Sequence, residues 1–145
     1  MQAKKQDEVQ KVLRDQLKTA KKKNQGNILN ISSIYGVIAP KFEIYDHTLM
    51  TTPIEYVAVK SALIHLTKYI ASYVNDSRFR MNCVSPGGIF DNQPKNFVKN
   101  YSKRVPLGRM ANPDDIAPAI SFLISDESKY ISGQNLIIDG GWTSI

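Results

Sequence analysis

One strong helix start, set between two short β-branched runs, limits the folds open to this chain. Thr52-Pro53-Ile54-Glu55 offers a capping hydroxyl, a proline in the first turn and a glutamate three residues after the cap. Ile54, Val57, Leu63, Ile64, Leu66, Ile70 and Val74 supply apolar contacts, and Asn75-Asp76 ends the pattern, so a helix is predicted from residue 53 to about 74. GNILNISS (26–33) precedes it and reads as a short strand opening into a loop. RFRMNCVS (78–85) follows it as a second strand, stopped by Pro86-Gly87-Gly88. Strands that alternate with helices imply right-handed crossovers and a parallel sheet, the α/β class.

The remaining segments extend the alternation. Residues 37–51 show no clean period and are read as a long loop or insertion. A polar stretch with Phe97, Val98 and Tyr101 predicts a short, mobile helix. Asn112-Pro113-Asp114-Asp115 opens another over about 113–125, with Pro118 expected to bend or loosen its first turns. Gln134-Asn135-Leu136-Ile137-Ile138 is the last predicted strand, closed by Asp139-Gly140-Gly141. Upstream, Val9, Val12, Leu13, Leu17 and Ala20 predict a basic amphipathic helix over about 7–23. The chain therefore divides into a basic helical segment, 1–25, and an α/β unit, 26–145, with only about three strands.

Charge and cysteine content narrow the function classes. Of the net charge of +6, residues 1–25 carry +5, from eight Lys or Arg against three acids. No aromatics interleave those cations, so a solvated helix face is the expected reading, and nucleic acid or a membrane surface is not an expected partner. The longest apolar run falls well short of a membrane span, and the charged first 25 residues show no signal-peptide pattern. Cys83 is the only cysteine, which rules out an intrachain disulfide; a reducing cytoplasm is the expected location. His47 and His65 stand alone, without the patterned ligands of a metal site, and no metal is expected.

The chemistry centres on Tyr56 and Lys60. Four residues apart on a helix, they project from one face. A free phenol is a poor base at neutral pH, and a neighbouring ammonium favours its phenolate. A serine hydroxyl at the end of the first strand could orient a carbonyl or stabilise the charge developing on it, because strand ends in parallel sheets face the ligand crevice. Ser32 and Ser33 are both candidates on these grounds, and YxxxK alone is a common spacing.

Taken together and in order, GNILNISSIYG, YVAVKSALIHLTKYIA, RMNCVSPGGI and VPLGRMANPDDIAPAISFLISDESKYISGQNLIIDGG resemble the C-terminal part of the short-chain dehydrogenase/reductase family. These stretches span residues 26–141, about four-fifths of the chain. The resemblance implies the C-terminal half of a Rossmann-like doubly wound parallel sheet, with flanking helices. It also implies hydride transfer between NAD or NADP and a small carbonyl or alcohol substrate. By the family's pattern Ser33 is the catalytic serine, with Ser32 the alternative. Tyr56 is the general acid/base, and Lys60 favours its phenolate and hydrogen-bonds the nicotinamide ribose. Pro86 and Gly87 match the family's PG motif, and Ile89 holds the nicotinamide carboxamide through its backbone.

Three departures set further expectations. The serine-to-tyrosine interval is longer than usual by about ten residues, KFEIYDHTLM (41–50), which is expected to shape substrate choice. The insertion is similar to that of relatives associated with bacterial surface-sugar modification, which implies a sugar-derived substrate. Asp91 stands where many members have a pyrophosphate-contacting threonine, and a carboxylate is a poor neighbour for phosphate. The family's glycine-rich turn has no counterpart, since the first glycine is Gly26, and its upstream catalytic asparagine has no match near Lys5. The chain is therefore expected to be a truncated member that binds cofactor weakly and is inactive alone. It is expected to form a homo-oligomer or to pair with a full-length relative. A non-catalytic partner module is the alternative.

Overall fold

The computed structural model describes residues 25–145 together with Asp15 and Lys18. Asp15 and Lys18 are helical, with carboxylate and ammonium 3.8 Å apart; the rest of the predicted basic helix lies outside the described residues. Strands β1 (Gly26–Ile31), β2 (Phe79–Pro86) and β3 (Asn135–Ile138) form a parallel sheet in the order β1-β2-β3. Helix α1 (Ile54–Val74) crosses from β1 to β2, and α2 (Lys95–Ser102) and α3 (Pro113–Ile124) lie between β2 and β3.

Side-chain alternation shows that the sheet is covered on two faces. Asn30 donates its amide to Thr67 Oγ1 of α1 at 3.0 Å, whereas Asn27 donates to the Leu123 carbonyl of α3 at 2.9 Å. Residues three apart on a strand point to opposite faces, so α1 and α3 sandwich the sheet. The expected half of a doubly wound parallel sheet is what forms. From Met81 to Pro86, β2 is buried throughout. Its buried polar groups are satisfied: Asn82 donates to the Ile131 carbonyl at 2.8 Å, and Ser85 donates to Asn135 Oδ1 at 2.7 Å. Among the described residues, the outer edge of β1 pairs with no other strand.

Arg80, at the start of β2, closes the C-terminal end of α3. Its guanidinium donates to the carbonyls of Leu123 (3.0 Å), Ser125 (2.8 Å) and Ser128 (3.0 Å) and to Ser128 Oγ (2.9 Å). A helix leaves its last carbonyls unpaired, and a cation with several donors suits that negative end. The other end of α3 is held by Asp115, which accepts from the Asn112 N–H at 2.7 Å and from both terminal nitrogens of Arg109 at 2.7 and 2.8 Å. The Arg109 guanidinium, then the Asn112 N–H, hold the Asp115 carboxyl well below the usual carboxylate range. Helix α3 runs unbroken through Pro118.

Two further expectations need correction. The N-cap of α1 is Pro53 rather than Thr52, and Thr52 Oγ1 is instead hydrogen-bonded to the Tyr45 hydroxyl. The stretch 37–51 is not all loop. Phe42–Tyr45 forms a 3₁₀ turn that drives Ile44, 1% exposed, into a core with Ile34, Tyr35, Phe97 and Tyr101. Helix α2 belongs to the same core. Tyr101 stacks on Trp142 with centroids 4.4 Å apart and accepts the Gly88 N–H at 2.5 Å. At the C-terminus, Asp139 accepts from the Gly141 N–H (2.9 Å) and from the Thr143 N–H (2.8 Å), the structural turn its sequence implied.

The turn after β1 is clamped to α1. Ser32 Oγ donates to the Lys60 carbonyl at 2.7 Å, and a Cβ on Gly36 would sit 2.7 Å from that same oxygen. Glycine is required here by space. Gly36→Ala is expected to lower stability by roughly 1–3 kcal/mol, the usual cost of overpacking, as measured by denaturant unfolding. The Asp115 contribution carries a pH signature of defined sign. A depressed carboxylate stabilises the fold above its ordinary value of about 4 and loses that effect as pH falls toward its folded value. The melting-temperature advantage of the unsubstituted chain over Asp115→Asn should therefore be constant from neutral pH to about 5 and shrink below about 4.

Candidate active site

The carboxyl ends of β1 and β2 meet the first turns of α1 around a cleft of about 470 Å³. Ser33, Tyr56, Lys60, Pro86, Gly87 and Ile89, the six residues singled out from the sequence, all line it. They come from three places in the fold: the turn after β1, the N-terminal part of α1, and the end of β2 with the loop beyond. Only the parallel crossover brings these distant segments to one end of the sheet.

The two serines have different commitments. Ser32 spends its proton on the Lys60 carbonyl. Ser33 is the N-cap of a 3₁₀ turn, Ile34–Gly36, and its Oγ accepts the Tyr35 N–H at 3.2 Å. Accepting there leaves the Ser33 proton available to a group in the cleft. Tyr56 is 41% exposed and lies on the cleft wall. The Lys60 ammonium stands 5.4 Å from the Tyr56 ring centroid and donates to the Ile31 carbonyl at 3.0 Å. That single bond anchors Lys60 to the end of β1 and leaves two of its three N–H groups without partners among the described residues.

The loop beyond β2 is braced by side chains the sequence did not advertise. Gln93 donates to the Ile89 carbonyl at 2.9 Å and accepts from the Asp91 N–H at 2.8 Å. The Ile89 N–H has no partner among the described residues. Asp91 itself is exposed and does not line the cleft. At Gly88 a Cβ would meet the Tyr101 ring at 2.8 Å, so the second glycine answers to packing by α2.

Tyr35, Tyr45 and Met50 complete the wall opposite the strands, and no periodic signal pointed to them. The Tyr45 hydroxyl donates to the Tyr35 hydroxyl at 3.3 Å, and its ring lies 5.4 Å from that of Phe97. Burial, and then Tyr45, push the Tyr35 phenol well above its ordinary value, and burial pushes Tyr101 up to about 12. Both phenols therefore stay protonated across neutral pH and serve as hydrogen-bonding groups. Cys83 is fully buried with its thiol pushed up by burial, and neither it nor His47 or His65 lines the cleft.

The donors around the cleft fit the nicotinamide-ribose end of a dinucleotide. Lys60 has N–H groups to give to ribose hydroxyls, and the Ile89 backbone N–H is unspent beside Gly87 and Pro86. The pyrophosphate end is not matched. Residues 1–25 of the sequence contain no glycine, so they hold no glycine-rich phosphate-binding motif.

Comparison with known proteins identifies the family. A family model described as enoyl-(acyl carrier protein) reductase matches residues 8–143. The post-translational flagellin modification protein A of Campylobacter coli is 42% identical over 126 residues, which cover 87% of this chain and 49% of that protein. The crystal structure of a short chain dehydrogenase from Leptospira borgpetersenii with bound NAD+ superposes with a TM-score of 0.80 at 46% identity, covering 87% of this chain and 48% of that one. A gluconate 5-dehydrogenase from Burkholderia cenocepacia, in complex with NADP and tartrate, gives a TM-score of 0.76 at 27% identity, over 89% of this chain and 49% of that one. The chain thus spans about half the length of the relatives it matches. With a matching family model, a shared parallel sheet and the family's motifs gathered on one cleft, the chain belongs to the short-chain dehydrogenase/reductase family of NAD(P)-dependent oxidoreductases.

Proposed function

We propose that this chain supplies the acid/base half of a hydride-transfer site acting on a small carbonyl or alcohol substrate. The observation that carries the reading is the convergence of Ser33, Tyr56 and Lys60 on the cleft that Pro86, Gly87 and Ile89 close. Tyr56 moves the substrate proton, giving it to the developing alkoxide in reduction and taking it from the alcohol in oxidation. Lys60, anchored on the Ile31 carbonyl, stands beside the Tyr56 ring and keeps donors for the ribose. Ser33, its oxygen already accepting from the Tyr35 N–H, offers its proton to the substrate oxygen. The nicotinamide, when bound, supplies or accepts the hydride. The insertion adds the Tyr45 hydroxyl to a cleft wall that already carries the Tyr35 phenol, which supports a sugar-derived substrate with several oxygens.

Because the pyrophosphate contacts are not among these residues, the 145-residue chain alone is expected to bind NADH without saturating below about 1 mM, against the micromolar-to-millimolar range usual for enzyme substrates. Fluorescence titration measures this directly, and saturable micromolar binding would sink the half-site reading. Any NADH oxidation with sugar aldehydes at high cofactor should fall about 100-fold or more in Tyr56→Phe, the typical share of a general acid. Equal turnover by the two proteins would remove Tyr56 from that role.

A second reading, a non-catalytic partner module, is favoured by a specific surface. Val59, Tyr69 and Tyr73 are exposed along α1, with the two tyrosine rings stacked at 6.0 Å, and β1 leaves its outer edge unpaired among the described residues. Such surfaces are usually covered by another chain. A well-folded chain without turnover, whose self-association is lost in Tyr69→Glu by analytical ultracentrifugation, is the result this reading expects.

A further inference from the structure

The insertion does more than lengthen a loop. Tyr45 lies in it, and its hydroxyl stands between two others: Tyr35, to which it donates at 3.3 Å, and Thr52 Oγ1, which is also hydrogen-bonded to it. Each phenol or alcohol has one proton to give. With Tyr45 donating to Tyr35, Thr52 must donate to Tyr45, and the three hydroxyls form a chain of one direction. Its two ends lie on the two arms of the candidate site. Tyr35 belongs to the 3₁₀ turn whose N-cap is Ser33, and its own N–H is the donor to Ser33 Oγ. Thr52 immediately precedes Pro53, the N-cap of α1, whose carbonyl accepts the Tyr56 N–H at 3.2 Å. The Tyr45 ring is seated on Phe97 of α2, so the middle of the chain is fixed by packing as well.

We propose that Tyr45 is a positioning residue that ties the Ser33 turn to the start of α1, setting the serine hydroxyl against the Tyr56 phenol across the cleft. The functional part of this statement rests on the oxidoreductase reading above; the mechanical part does not. The other hydrogen bonds between these arms, from Ser32 to the Lys60 carbonyl and from the Lys60 ammonium to the Ile31 carbonyl, lie one turn further along α1. Without the Tyr45 hydroxyl no side-chain hydrogen bond ties the start of α1 to the Ser33 turn among the described residues, and only the packing of Val57 on the core of Ile34 and Tyr35 remains there. The hydroxyl and the ring have separable duties. The hydroxyl couples the two arms, and the ring holds the insertion on α2.

Hydrogen exchange followed residue by residue on the 145-residue chain separates these duties. Tyr45→Phe keeps the ring and removes the coupling. It is expected to speed exchange about five-fold at the amides of both Tyr35 and Tyr56, the factor that loss of one hydrogen bond supplies, with β2 amides unchanged. Tyr45→Leu should show the same two changes and add faster exchange across α2. A Tyr45→Phe chain with neither amide altered, with only one altered, or with a uniform rise throughout the molecule overturns the proposal. Where the unsubstituted chain turns over NADH, Tyr45→Phe should lower kcat about ten-fold with the KM for NADH unchanged, since a misplaced acid/base pair slows chemistry rather than cofactor binding. A lower kcat accompanied by an equal rise in that KM overturns the positioning role. Exchange as expected supports the clamp whether or not the chain turns over, because the chain by itself is expected to be inactive.

Discussion

The site depends first on how closely the turn after β1 approaches α1. The Lys60 carbonyl accepts the Ser32 hydroxyl, and Gly36 lies where any side chain would strike the same oxygen. A helix interior carbonyl that accepts a second bond fixes both the height and the rotation of the helix on the sheet. Lys60 then reaches the Ile31 carbonyl and holds its ammonium over the Tyr56 ring. A shift of the turn by the width of a methyl group would displace Ser33, Lys60 and Tyr56 relative to one another. The adjacent serines are thereby divided into Ser32, which builds the scaffold, and Ser33, which lines the cleft and gives its proton to no group among the described residues.

The sheet behind this contact is held by polar chemistry as much as by apolar burial. Central strand β2 carries Arg80, Asn82 and Ser85, and each finds partners in the segment that leads from α3 into β3. Buried polar groups with full partners favour one register over its neighbours, because a slip by one residue would orphan them. This firm side contrasts with β1, whose outer edge has no strand beside it among the described residues. Among the described residues the crevice is thus well built on the side of Ser33, Tyr56 and Lys60 and bordered by the unpaired edge of β1.

Much of the architecture was readable from the chain. Helix α1 announced itself through its start signals and apolar spacing, and Asn75 ends it in the left-handed conformation, φ 39°. The strands followed from β-branched runs stopped by Pro-Gly and Asp-Gly-Gly. Other features had no local sign. Thr52 carries the side chain of an N-cap, yet its hydroxyl is taken by Tyr45 and the cap falls on Pro53. Ile44 sits in a stretch without period and is still among the most buried residues, because a single 3₁₀ turn suffices to sink one side chain.

The candidate site divides along the same line. Tyr56 and Lys60 could be paired from spacing, since one helix sets their relation and needs nothing else. Ser33, Pro86, Gly87 and Ile89 could be named by likeness to a family, but residue types and spacing alone left Ser32 and Ser33 level. The likeness favoured Ser33, and only the structure could show that Ser32 donates to the Lys60 carbonyl 28 positions away. The Tyr35-Tyr45-Thr52 hydroxyls and the Gln93 brace likewise exist only once distant segments meet. Local periodicity records which face of an element is buried, whereas a site is made of contacts between elements, and those depend on how the elements pack.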